Sequence, residues 1–109
     1  MLAQAITATR AAGDITVSEK ISSGPAATLG PDDLATTGSD YIAASPFSNG
    51  ADDVHELASE AGLTVITFIV SGTGTWHQLS IDDHHRIRAE ILVDPGHRIG
   101  RIITYRDVP

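Results

Sequence analysis

The apolar positions of this chain change rhythm part-way along, and each rhythm marks a different kind of element. Val54, Leu57, Ala58 and Ala61 recur at i, i+3, i+4 and i+7, the spacing of one helix face. Ser48 or Asn49 can accept hydrogen bonds from the first helical N–H groups, Asp52 and Asp53 complement the dipole, and Gly62 ends the run. This predicts a helix over ADDVHELASEAG, entered from the apolar approach and turn of YIAASPFSNG. Earlier in the chain the pattern suits two readings. LAQAITATRAA suits a helix closed at Gly13, with Leu2, Ala3 and Ile6 on one side. ITATR and ITVSEKI also flank AAGD as the arms of a hairpin would. SSGPAATLGP, residues 22–31, reads as a loop, and Pro31 with Asp32 and Asp33 suits the first turn of a short helix.

From Leu63 onward the rhythm becomes that of an antiparallel sheet. LTVITFIVS is β-branched and mostly apolar, as expected of a strand covered on both faces. SGTG leads into TWHQLSI, DDHH into RIRAEILV, and Asp94-Pro95-Gly96 forms a turn into RIGRIITYRD. The third strand alternates, which places Ile87, Ala89, Ile91 and Val93 toward the core and Arg86, Arg88 and Glu90 toward water.

Length and charge narrow the function classes. A chain of 109 residues makes one domain, residues 1–109, because two would each bury too little. Aromatics supply 5%, so the core rests on Ile, Val, Leu and Ala, and dimerisation would cover further apolar surface. A net charge of -7 argues against nucleic acid as a partner. Arg86, Arg88, Arg98, Arg101 and Arg106 cluster late in the chain and read as a solvated face paired with Glu90, Asp94 and Asp107, with an anion-binding patch as the alternative. The absence of cysteine excludes disulfides and thiol chemistry. MLAQAITATRAAGD lacks the basic region and continuous apolar core of a secretory signal, and no apolar run reaches the roughly 20 residues of a membrane helix. A cytoplasmic protein without a membrane partner is expected.

Three stretches together, YIAASPFSNG, ADDVHELASEAG and RIRAEILVDPGHRIGRIITYRD, resemble the nuclear transport factor 2-like superfamily over about residues 38–108. That superfamily includes ketosteroid isomerases, SnoaL-like polyketide cyclases and limonene epoxide hydrolase. The resemblance implies an α+β fold: a cone-like curved antiparallel sheet of four or more strands packed against helices around an apolar pocket. After the Gly13-Asp14 step the gap to Ser45 is longer than in the family and is broken by Gly24-Pro25 and Gly30-Pro31. An altered or partly missing helical lid is therefore expected.

The family's chemistry finds few matching residues. Ketosteroid isomerases place a carboxylate base before the proline of the SPF-like step and pair a tyrosine with a protonated acid. Ser45 stands before Pro46, no tyrosine precedes Tyr41, and the acid's strand position falls on Ala89, one residue from Glu90. The Asp–Arg–Asp water activation of limonene epoxide hydrolase lacks interior aspartates, because Asp82, Asp83, Asp94 and Asp107 read as turn residues. Asp82-Asp83-His84-His85 lacks metal-ligand spacing and reads as a solvated turn, so neither a metal nor another cofactor is expected. His55 and His97 read as surface and turn residues.

Trp76 and His77 point opposite ways, so one of them faces the cavity. A core Trp76 with a surface His77 is the simpler pattern. Tyr41, Ser45, Phe47, Trp76, Ala89, Ile91 and Tyr105 are the candidate pocket residues, and His77 and Glu90 are the candidates for a relocated acid or base. The expected function is binding of a small, largely apolar molecule by a homodimer. An enzyme of isomerase, cyclase or epoxide hydrolase type and a structural dimerisation module are the alternatives.

Overall fold

A computed structural model describes residues 2–21, 32–48, 51–57, 59, 62–70, 72–94 and 96–106. These form an α+β unit of two helices and one antiparallel sheet of seven strands. The order along the chain is α1 (Leu2–Ala11), β1 (Asp14–Ile21), β2 (Asp32–Thr37), α2 (Gly38–Ala44), β3 (Asp52–Glu56), β4 (Thr64–Val70), β5 (Thr75–Ile81), β6 (Ile87–Asp94) and β7 (His97–Tyr105). Across the sheet the strands run β2-β1-β7-β6-β5-β4-β3. The four strands expected after Leu63 are present and extend to seven through the β1–β2 hairpin and β3.

At the N-terminus both readings hold in part, since Leu2–Ala11 is helical and ITVSEKI is a strand. Leu2, Ala5 and Ile6 of α1 join Ile15, Val17, Ile66, Phe68, Leu79 and Ile103 in one core on the inner face of the sheet. Thr9 on α1 is fully buried and accepts a hydrogen bond from the Ile87 N–H at 3.0 Å, which fixes the helix to the start of β6. Where α2 begins, Gly38 lies against the carbonyls of Thr9 and Ala12, too close for any Cβ. Glycine is required there by that approach. Thr37 caps α2 by accepting from the Asp40 N–H at 3.1 Å.

Two predicted helices are strands instead. Asp32 and Asp33 open β2, which pairs with β1 through Val17↔Leu34 and Ser18↔Asp33; Pro31 lies outside the described residues. Residues 52–56 form β3, an edge strand against β4 with all five side chains exposed. An amphipathic helix is stable only where its apolar face is covered. Here Val54 and Leu57 are exposed, and pairing with the β-branched edge of β4 supplies the hydrogen bonds, including Leu57 N–H to the Val65 carbonyl at 2.7 Å. The register shifts between Asp52 and His55, and Asp53 takes a left-handed φ of 51°. Ala58 and Ala61, which completed the predicted helix face, lie outside the described residues. Both edge strands carry aspartates, a pattern that discourages edge-to-edge pairing.

The third correction concerns the phase of β6. Pairing with β5 steps from Ile81↔Ile87 to Ser80↔Ala89, so Arg88 is the extra residue of a β-bulge. Beyond it the alternation inverts. Glu90 and Leu92 face the core, whereas Ala89, Ile91 and Val93 face outward. No helix among the described residues is long and apolar enough to cross a membrane.

Candidate functional site

The bulge brings Glu90 opposite Leu79 on β5 and Arg101 on β7, and Arg101 lies opposite Glu19 on β1. Paired residues share a face, so Glu19, Arg101 and Glu90 form a charged row across three strands of the inner face. Glu90 is 1% exposed. Its Oε1 accepts from the Tyr41 O–H at 2.8 Å and from Arg101 Nη1 at 3.1 Å. Its Oε2 lies 3.0 Å from Nδ1 of the fully buried His77. Arg101 Nε donates to Glu19 Oε2 at 2.6 Å. A buried carboxylate persists only where such partners replace its water.

These contacts fix the protonation states. Burial pushes the Glu90 carboxyl upward, but the His77 hydrogen bond, the Arg101 charge and the Tyr41 hydroxyl outweigh it and hold the group below the usual carboxylate range. Burial, then the adjacent Glu90 charge, raises the Tyr41 phenol well above its ordinary value. For Arg101, burial is outweighed by Glu19 and Glu90, and the guanidinium is more firmly protonated than usual. An ionised carboxylate only accepts, so His77 donates from Nδ1. Its Nε2 lies 3.0 Å from Thr75 Oγ1, which is 2.7 Å from Thr73 Oγ1. A line of polar contacts thus runs from the exposed β4–β5 turn to the centre of the core. Phe68 stacks on the His77 ring at 5.2 Å and Phe47 meets its edge at 5.6 Å.

Beside this cluster, a hollow of about 340 Å³ opens between α2 and the inner face of β1, β2 and β7. Val17, Leu34 and Ala44 give it apolar walls, and Tyr41, Ser45 and Arg101 give it polar ones. Glu19 and Asp40 also line it. Leu34 is 61% exposed although it sits on the face that elsewhere forms the core.

The predicted site residues divide between the two faces. Tyr41 joins the two acid–base candidates, His77 and Glu90, which are in direct contact rather than apart. Glu90 does not face water as expected, because the bulge turns it inward. Ser45 lines the hollow, but its hydroxyl donates to the Tyr41 carbonyl at 2.8 Å and closes α2. Phe47 is core. Tyr105 is buried and donates to the Ile87 carbonyl at 2.6 Å, and its ring lies 4.6 Å below the Arg86 guanidinium. Trp76, Ala89 and Ile91 stand on the outer face, away from the cluster. The pattern of a core Trp76 and surface His77 is therefore reversed, since β5 places His77 opposite inward Leu92. Ala89, Ile91, Ile102, Gly100 and Ser18 instead line a separate outer hollow of about 450 Å³.

The late arginines are not one solvated face. Arg101 is interior, Arg88 pairs with Asp82 at 3.4 Å, and Arg106 pairs with Asp14 at 3.2 Å; Asp107 and the His97 side chain lie outside the described positions. Asp82 accepts from the N–H groups of His84 and Arg86, the local bonding of a turn. Among the described residues no three His, Asp or Glu side chains group as metal ligands would.

The sequence reading missed Arg101, Glu19 and Thr75 as members of the cluster. A signal for the first two was present. Arg101 alternates with Ile103 and Tyr105, and Glu19 with Ile15 and Val17. A lone charge on an apolar face calls for an opposite one. No family model matches the chain, and no curated protein matches it.

Proposed function

We propose that this protein binds a small, largely apolar molecule in the hollow beside α2. The observation that carries the reading is the apolar wall of Val17, Leu34 and Ala44 facing a fixed polar floor of Tyr41 and Arg101. A concave site with apolar walls and few polar groups is the usual form of a small-molecule pocket. The order of helix, hairpin, short helix and antiparallel meander supports placing the domain in the nuclear transport factor 2-like superfamily, with the hollow as the mouth of its cone. Glu90 occupies the neighbourhood of the isomerase acid but in the opposite state. It is ionised and accepts hydrogen bonds, whereas that chemistry needs a neutral acid that donates one. Screening by thermal shift against steroid-like, polyketide-like and terpene ligands tests the reading. At least one class should raise Tm, and Ala44→Trp, which fills the hollow, should abolish the rise. A screen in which nothing shifts Tm, or in which Ala44→Trp changes nothing, rejects it.

A second reading, an enzyme of the same superfamily, is favoured by the His77–Glu90 contact at 3.0 Å leading to Tyr41 at the hollow. Absence of turnover of isomerase, cyclase and epoxide substrates would defeat it, and turnover that survives His77→Ala with Glu90→Ala would defeat the acid–base role given to these two residues. Assembly as a homodimer is supported by the outer face, where Ile69, Trp76 and Val93 form one row across β4, β5 and β6. Ile69 and Trp76 are both exposed there. Sedimentation of the intact chain, with Trp76→Glu as the disrupting variant, measures it.

A further inference from the structure

We propose that Glu19 and Arg101 set the ligand selectivity of the hollow: it takes an uncharged molecule carrying one hydrogen-bond acceptor and rejects anions. The inference rests on the small-molecule reading above. A guanidinium carries five N–H donors in a fixed plane. On Arg101, Nε–H serves Glu19 and one Nη1–H serves Glu90. Among the described residues, no acceptor meets the other three. Arg101 lines the hollow and its side chain is 22% exposed, so those donors are available to an occupant. A planar donor group held on two sides by carboxylates is already oriented, and a ligand acceptor need not pay to order it.

Charge then decides which acceptor is welcome. Glu19, Glu90 and Asp40 set three carboxylates against one guanidinium around the hollow. Even a protonated His77 leaves that balance negative. A carboxylate ligand would meet a net repulsion in a partly desolvated site. An ammonium would meet the outward donors of Arg101. A neutral oxygen acceptor meets neither penalty. Glu19 is the adjustable member, because its side chain is 34% exposed and stands outside the buried Tyr41–Glu90–His77 group.

The test measures affinity by calorimetry for four probes on one bicyclic skeleton: tetralin, tetralone, the tetralin carboxylate and the tetralin amine. Wild type should bind tetralone about tenfold more tightly than tetralin, the gain of one charge-assisted hydrogen bond, and more tightly than either charged probe. Glu19→Gln, checked for native circular dichroism, should raise carboxylate affinity relative to tetralone by about tenfold. Arg101→Lys keeps a cation beside Glu90 and should lose most of the tetralone preference. Equal binding of tetralin and tetralone, or best binding by a charged probe, overturns the selectivity proposal and leaves the apolar hollow standing. Unchanged ratios in Glu19→Gln also overturn it. Failure of all four probes to bind overturns both.

Discussion

The two faces of the same central strands carry opposite chemistry to what a half-buried sheet usually shows. Inside, among Ile66, Phe68, Leu79 and Ile103, lie an ionised glutamate, a histidine and an arginine. Outside, Ile69, Trp76 and Ile102 face solvent, the last at 57% exposure. An antiparallel sheet with one wet face ordinarily alternates apolar-in and polar-out. Within β6 the difference is traceable to one residue. Arg88 is inserted as a bulge, and every β6 side chain after it is exchanged between faces. A single unpaired residue therefore converts an ordinary amphipathic strand into one that buries a charge and turns Ile91 and Val93 outward.

The largest test of this contrast is deletion of Arg88 together with Ala89. Removing both makes Ile87 and Glu90 neighbours, so one of them must leave the inner face, whereas deleting Arg88 alone leaves both inward in a regular register. Loss of the buried charge network on that scale, about 5 kcal/mol or more, rivals the whole stability of a small domain. Loss of cooperative thermal unfolding is expected, and a normal transition would refute the inward facing given to both Ile87 and Glu90.

Next in size is Glu90→Gln, which keeps the shape and removes the charge. Tyr41 and His77 lose a charged acceptor and Arg101 keeps Glu19 alone, so a loss of about 3 kcal/mol is expected in urea unfolding. Tyr41→Phe removes one hydrogen bond to a buried carboxylate and should cost about 2 kcal/mol by the same measurement.

The pH profile separates these groups. Glu90 is held below its ordinary value of 4.5, so its contribution is complete above that pH and is lost as pH falls through the lowered value. Tyr41 is raised above its ordinary 10.0, so its contribution is complete below pH 10.0 and is lost as pH rises beyond it. Urea unfolding across pH should show both limbs in wild type. The acid limb should flatten in Glu90→Gln and the alkaline limb in Tyr41→Phe.

The smallest effect belongs to the outer face. Ile102→Asp replaces an exposed side chain and should change the stability of a monomer by no more than about 0.5 kcal/mol. If the outer face seats a second copy, the same substitution should shift sedimentation toward monomer with little change in the inner cluster.

Legibility followed how local the deciding physics was. The strands of the meander were readable because β-branched runs punctuated by turn residues leave few alternatives, and TWHQLSI is β5 to the residue. ADDVHELASEAG was misread because its periodicity and capping are genuine local signals, and only the bonding edge of β4 overrides them. Glu90 could be named as a candidate but not placed, since its face depends on one residue of register. Arg101 and Glu19 were legible in principle as charges at apolar parity. Their meeting was not, because 82 positions separate them.

By itself, the sequence determined an α+β chain with an antiparallel meander, an aliphatic core and several candidate polar groups, all of which follow from residue type and short-range spacing. The tertiary structure alone decided which face each group occupies and which charges meet. Those outcomes depend on strand register and on partners far apart in the chain, where a shift of one residue exchanges inside for outside.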